Sequence, residues 1–339
     1  MKNIILGLII ISMALLCTVS EAADGDGGSA GAFLRMGLGA RPKAMGGAFT
    51  AVAEGSYAGY YNPGGFPRTE YKELAFSYRT LALDRKFNYI GAIVPLRPKV
   101  KSPDEAETAQ ENAPKKSTEK PFNAGLYLGW IHAGVDNIDA RDYNGVQYGT
   151  FSNSENAFMF GFAVQPAKFI SLGFTGKILY NRFPNMTQED EALTSKGLGF
   201  DFGVLITPIE NLSLGLMAKD LRSKYTWNTE SVWERGTTSY DDFLKILRVG
   251  MAYRLLNDKL LVAADFEDNK KQKERFHLGV EYCPYPNIYL RAGMDVDEPT
   301  FGFGYQFQLW KFNTILDYAY VNDEVAPSSE HVISWAFRL

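Results

Sequence analysis

Cysteine is almost missing from these 339 residues, with two, and histidine is scarce, with three. The cysteines are Cys17 and Cys283, and if a leader is removed near residue 22 only Cys283 is left, so no intramolecular disulfide can form. His132, His277 and His331 fall on different expected strands with no second ligand at a metal spacing, which reads as chance placement on a wall. No metal and no cofactor is therefore expected. No serine sits in a nucleophile motif, which argues against an enzyme. A dominant charge is lacking too: the net charge is −4 with both signs dispersed, leaving no basic stripe for nucleic acid. Beyond residue 16 no apolar run reaches the length of a membrane helix.

What is present begins with Lys2, an apolar run from Ile4 to Leu16, and Ser20-Glu21-Ala22 as a small-x-small cleavage site. That pattern predicts a secretory signal peptide over 1–22. Cys17 would suit a lipoprotein signal, but Leu16 before it is too large for that cleavage rule. The remaining chain, about 315 residues, could make two soluble domains or one large barrel. Composition favours the barrel, with 19 Tyr, 23 Phe and 32 Gly.

From Lys72 to the last residue the apolar pattern has period two, in short segments split by turn residues, as in a transmembrane barrel whose side chains face lipid and lumen in turn. In 275–282, Phe276, Leu278, Val280 and Tyr282 face one way and Arg275, His277, Gly279 and Glu281 the other. In 301–309 the outer set is Phe301, Phe303, Tyr305, Phe307 and Leu309. About fourteen such segments can be marked, near 72–81, 86–96, 123–132, 156–166, 169–180, 197–207, 211–219, 244–255, 259–267, 274–283, 287–295, 300–309, 312–321 and 331–339. An even number puts both chain ends in the periplasm. Connector lengths agree: Ala167-Lys168, Ile209-Glu210, Asn257-Asp258, Tyr285-Pro286 and Trp310-Lys311 are short, whereas the long polar links at 133–155, 181–196 and 220–243 all fall at the other end.

A weak repeat marks three of the short turns. Residues 165–173 (QPAKFISLG) and 207–215 (TPIENLSLG) are one turn written twice, and 283–290 (CPYPNIYL) is a looser copy. Proline closing a strand and a polar residue opening the next is turn chemistry. Residues 97–121, rich in Lys, Glu, Asp and Pro and free of aromatics, read as a disordered periplasmic insertion, either a solvated loop or a tether for a partner. The last strand alternates Ile333, Trp335, Phe337 and Leu339 with smaller or polar residues up to the chain end.

One stretch does not fit the strand rhythm. Phe33 to Phe66 is nearly half Gly or Ala, suited to close backbone packing, with Asn62-Pro63-Gly64-Gly65 set for a type II turn and Ala48 to Ala53 able to hold a helical turn or two. Its run Arg41, Ala44-Met45-Gly46-Gly47-Ala48-Phe49, Thr50-Ala51-Val52-Ala53 and Asn62-Pro63-Gly64-Gly65 resembles the N-terminal signature of FadL-like outer-membrane proteins. Phe33 to Arg41 is nearer the PorV/PorQ branch. Gly64-Gly65 stands where Ala-Gly is usual, and Tyr61 where Trp is usual.

The resemblance implies an all-β fold: a fourteen-stranded antiparallel barrel (71–339) in the outer membrane, with a leader and plug (23–70) in its lumen. It implies plug or gate roles for Arg41, Met45, Gly46, Gly47, Phe49, Asn62, Pro63, Gly64 and Gly65, with Arg41 the candidate for a bidentate pair with a lumenal carboxylate. By strand parity Lys177, Asp201, Arg248, Arg254, Asp265, Glu267, Arg275, Glu281, Arg291 and Asp317 face the lumen, there to pair with one another and the plug or to line it for a charged head group. Asp295, Asp297 and Glu298 lie on an expected outer loop, as a divalent-cation site or a solvated turn.

Two functions follow. The first is passage or binding of hydrophobic small molecules such as fatty acids, for which Tyr225, Trp227, Val232, Trp233 and Tyr240 offer aromatic surface. The second is a PorV-type component of a type IX secretion system, binding cargo or partner barrels. Partners would then be membrane lipid and a hydrophobic ligand, or secretion proteins.

Overall fold

The computed structural model describes residues 29–97, 123–184, 192–230, 235–322 and 329–339. The expected signal peptide, the insertion beyond Arg97, and Val232 and Trp233 lie outside the described residues. The strands are β1 Glu73–Thr80, β2 Arg85–Leu96, β3 Asn123–Arg141, β4 Gln147–Ala167, β5 Ile170–Phe183, β6 Leu193–Ile209, β7 Leu212–Leu221, β8 Lys224–Asn228, β9 Thr238–Asp242 and β10 Ile246–Leu255. They continue as β11 Leu260–Asp268, β12 Arg275–Tyr285, β13 Ile288–Asp295, β14 Glu298–Leu309, β15 Phe312–Asn322 and β16 Ser329–Arg338. Apart from the β8–β9 hairpin, fourteen strands form one closed antiparallel barrel in chain order, with β7 beside β10 and β16 beside β1.

The alternation seen in sequence becomes a wall with two chemistries. On β12, Phe276, Leu278, Val280 and Tyr282 are exposed on the outside while His277 and Glu281 are buried. The outer set repeats on neighbours with Leu290, Phe301, Phe303, Tyr305, Leu316, Ile333 and Trp335, an apolar belt for lipid.

The three repeated turns share a structural reason. At each, pairing slips by a bulge before a two-residue turn: between Val164 and Ala167, Ile206 and Ile209, and Tyr282 and Tyr285. Pro166, Pro208 and Pro284 sit in those bulges, where a missing amide costs no ladder bond.

Several expectations are corrected. The supposed loop 133–155 is mostly strand, because β3 and β4 pair out to Arg141 and Gln147. The period-two signal fades there because both faces meet water, not because pairing stops. Link 220–243 contains the β8–β9 hairpin. Helical turns occur at Ala40–Ala44 and Ala58–Tyr61, while 48–53 holds a single turn closed by Ala53 N donating to Phe49 O at 2.8 Å. Asn62-Pro63-Gly64-Gly65 is not a type II turn, since Gly64 has no positive φ; it opens the 3-10 turn Pro63–Arg68, with Asn62 Oδ1 accepting from Gly64 N at 3.0 Å.

The C-terminal residue lies at the short-turn end, where Leu339 and Lys72 exchange two backbone bonds. The first described residues do not: Ala30 bridges to Phe243, just before the outer end of β10. From there the plug descends through the lumen to the base of β1.

Candidate functional site

The plug lies flat because the wall facing it lacks side chains. Cross-strand pairs Gly173–Gly203, Gly215–Gly250 and Gly279–Gly293 each underlie one of its bends. A Cβ on Gly173 would lie 2.2 Å from Pro63 C, one on Gly215 2.4 Å from Thr50 O, and one on Gly293 2.2 Å from Gly46 N. On the plug side Gly46 and Gly47 have φ of 61° and 79°, which lets the chain reverse against that facet.

Polar groups then fix the register. Arg41 donates from Nε and Nη2 to the two Glu281 oxygens at 2.7 and 2.8 Å, and from Nη1 to Glu54 at 2.5 Å. Glu281 also accepts from Arg291 at 2.6 Å, and Arg291 reaches Asp317 at 2.7 Å. The chain of charges thus runs from plug to wall and across three strands. Burial works against the Glu54 charge, yet the adjacent Arg41 guanidinium holds its carboxyl down at about 2.

Asp265 accepts from the amides of Phe49 and Thr50 at 3.0 and 2.9 Å, satisfying a bend of plug backbone that no helix or strand would. Asn62 Nδ2 bridges Thr50 O and Val204 O at 2.9 and 3.0 Å, tying two parts of the plug to β6. Arg248 pairs with Glu267 and reaches Gly47 O at 3.3 Å. Lys177 is gripped by Asp201, at 2.7 Å, and Asp220. Met45 and Phe49 are fully buried, Phe49 edge-on to Tyr61. Arg254 and Arg275 are half-buried on the lumen side, Arg275 opposite Glu267 in register.

Some participants escaped the sequence reading. His277 is no chance wall residue: its Nδ1 lies 2.9 Å from both Gly46 O and Asp295. Asp295 is drawn into the lumen by Lys43 at 2.8 Å, whereas Asp297 and Glu298 stay exposed, so the three acids do not form one cluster. Parity with Arg291 and Gly293 was the available signal for Asp295. Lys219 donates to Leu34 O at 2.7 Å and sits 3.3 Å from the Tyr60 ring centre. Glu73, which accepts from Ser56, was likewise missed. Tyr225 is not surface; it is buried against Phe243, its hydroxyl 3.1 Å from Glu155.

The wall is interrupted at the outer end of β7. Asp220 and Arg222 take positive φ, 59° and 57°, so β7 ends at Leu221 and the chain turns inward to bury Ser223 and Tyr225. Above that point β6 pairs with β8 through Ser195–Trp227 and Lys196–Thr226. A notch of about 1340 Å³ opens here, between outward-facing Ile178, Leu198 and Phe200 on one side and Leu244, Ile246 and Leu247 on the other, with Ala218 and Leu221 at the end of β7. Phe243 lines it too, and also packs on the plug's first residues, so close to Gly31 that a Cβ there would be 2.2 Å away. The notch and the plug therefore share a side chain.

No family model matches the chain, and no curated protein matches it. Solved structures do. The toluene transporter TbuX of Ralstonia pickettii superposes with a TM-score of 0.57 at 14% identity, over 89% of this chain and 98% of that one. The chain shares the FadL-type fold. The toluene transporter TodX of P. putida gives 0.55 at 13% identity, over 89% and 99% of the two chains. A FadL homologue of Pseudomonas aeruginosa gives 0.53 at 10% identity, over 89% and 98%. The fold and its apolar outer belt are those of a barrel whose wall faces lipid.

Proposed function

We propose that this FadL-type barrel binds hydrophobic small molecules such as fatty acids at the outer membrane and passes them inward, with the wall notch as the site of capture and the plug as the gate. The notch carries this reading: an apolar hollow of about 1340 Å³ exceeds what a single-chain lipid needs, and it opens on the lipid-facing wall beside a filled lumen. The similar structures are described as toluene transporters and a monoaromatic hydrocarbon channel, which are also handlers of hydrophobic molecules. Phe243 would pass occupancy of the notch to the first residues of the plug, and Arg41, Met45, Gly46, Gly47, Phe49, Asn62, Pro63, Gly64 and Gly65 would hold the closed state.

The test is uptake of radiolabelled oleate into proteoliposomes, comparing the parent with Ala218→Trp, which fills the notch from the outer face of β7. Uptake should fall while the barrel folds normally; unchanged uptake would overturn the notch as the capture site. The lean of Phe33 to Arg41 toward PorV/PorQ keeps the secretion role as a second proposal. A pulldown from gently extracted membranes that returned secretion proteins and no lipid would favour it.

A further inference from the structure

The rim of the notch differs from its interior. Six cations line it: Lys196, Arg222, Lys224, Lys245, Lys270 and Lys271. Only two carboxylates, Asp242 and Asp268, line it with them, although the chain as a whole carries a net charge of −4. None of the six cations forms an ion pair with a carboxylate among the described residues. Four lumenal cations in the same barrel, Arg41, Lys177, Arg248 and Arg291, are by contrast each held by an acid. The rim charges are thus a local excess at the outer end of the wall, above an apolar slot that opens toward lipid.

The geometry points to a ligand with one apolar chain and a phosphate head, the chain lying along Leu198, Phe200 and Leu247 and the phosphate among the rim cations. This inference rests on the notch being the capture site proposed above, and adds the class of molecule captured. A neutral hydrocarbon would leave the rim unused. A carboxylate offers one charge, whereas a phosphate monoester carries about −1.5 to −2 at neutral pH and three acceptor oxygens, matching several exposed donors on one rim. Lysine suits this role, since its ammonium acts as a point charge that needs no fixed plane.

The test uses four probes with the full chain in zwitterionic nanodiscs, against empty nanodiscs: dodecyl phosphate, dodecanoate, dodecanol and inorganic phosphate, measured by calorimetry at low and high salt. Dodecyl phosphate should bind tightest, salt should weaken it, and inorganic phosphate should not compete. Combining Lys245→Glu, Lys270→Glu and Lys271→Glu should weaken it by about tenfold or more, the scale of removing three exposed charge pairings at once, while dodecanol binding holds. Lys311→Glu, on a periplasmic turn, should change nothing. Equal affinity for dodecyl phosphate and either dodecanoate or dodecanol, effective competition by inorganic phosphate, or indifference to the triple change would overturn the phosphate assignment alone. No binding by any of the three chain-bearing probes would overturn the notch as a ligand site as well.

Discussion

Gly293→Ala adds one methyl group and should unseat the plug without harming the barrel. A Cβ there would lie 2.2 Å from Gly46 N, 2.4 Å from Met45 C and 2.7 Å from Leu278 O. Carbon atoms settle near ~3.5 Å from their neighbours, so the plug backbone must retreat by roughly 1 Å. Two buried bonds stand on that backbone: Gly46 N to Thr300 Oγ at 3.0 Å and His277 Nδ1 to Gly46 O at 2.9 Å. Overpacking costs about 1–3 kcal/mol, and each of the two buried bonds broken about as much again, so the local cost is on the order of 6 kcal/mol. Hydrogen exchange should show Gly46 and Gly47 losing protection, and planar-bilayer conductance should rise, while the heat-modifiable gel band of a folded barrel persists. Ala292→Val, one residue away and facing lipid, is the control and should leave both readings unchanged. Unaltered exchange and conductance in Gly293→Ala would refute the claim that bare wall facets seat the plug.

Phe303→Arg places a charge in the lipid belt and should impair insertion by about 2–4 kcal/mol near mid-membrane, whereas Gln306→Arg, facing the lumen, should be tolerated better; folding yields in vesicles compare the two. Glu54, with its carboxyl held at about 2 against an ordinary 4.5, has a depressed folded value. Its contribution is therefore present above pH 4.5 and lost as pH falls from there toward 2, so plug proteolysis should increase over that window in the parent and depend less on pH in Glu54→Gln. Lys177→Met leaves Asp201 and Asp220 facing each other in a buried site, a loss of about 3–5 kcal/mol. Exchange protection should fall at Asp220 to Ser223, where β7 turns inward, and unchanged protection there would mean the ion cluster does not hold that turn.

The strands and their faces were legible because a barrel wall imposes a two-residue rhythm at each position: lipid on one side and a packed lumen on the other leave separate marks in 276–282 and 301–309. The small residues of Phe33 to Phe66 were legible for a related reason, since close backbone packing admits few residue types. Where both faces meet water, as in the outer halves of β3 and β4, the rhythm carries no information and the sequence predicts a loop where strand pairing in fact continues. Parity placed Glu281 and Asp265 in the lumen but could not say what they hold. That Glu281 takes Arg41 and Asp265 takes two backbone amides depends on plug residues more than two hundred positions away. The notch was beyond sequence altogether. It exists because positive φ at Asp220 and Arg222 ends one strand early and Lys177 secures the turn, bringing residues from five strands and a hairpin around one hollow. Periodicity records what each residue faces, whereas which residues meet is decided only when the sheet closes and the plug settles inside it.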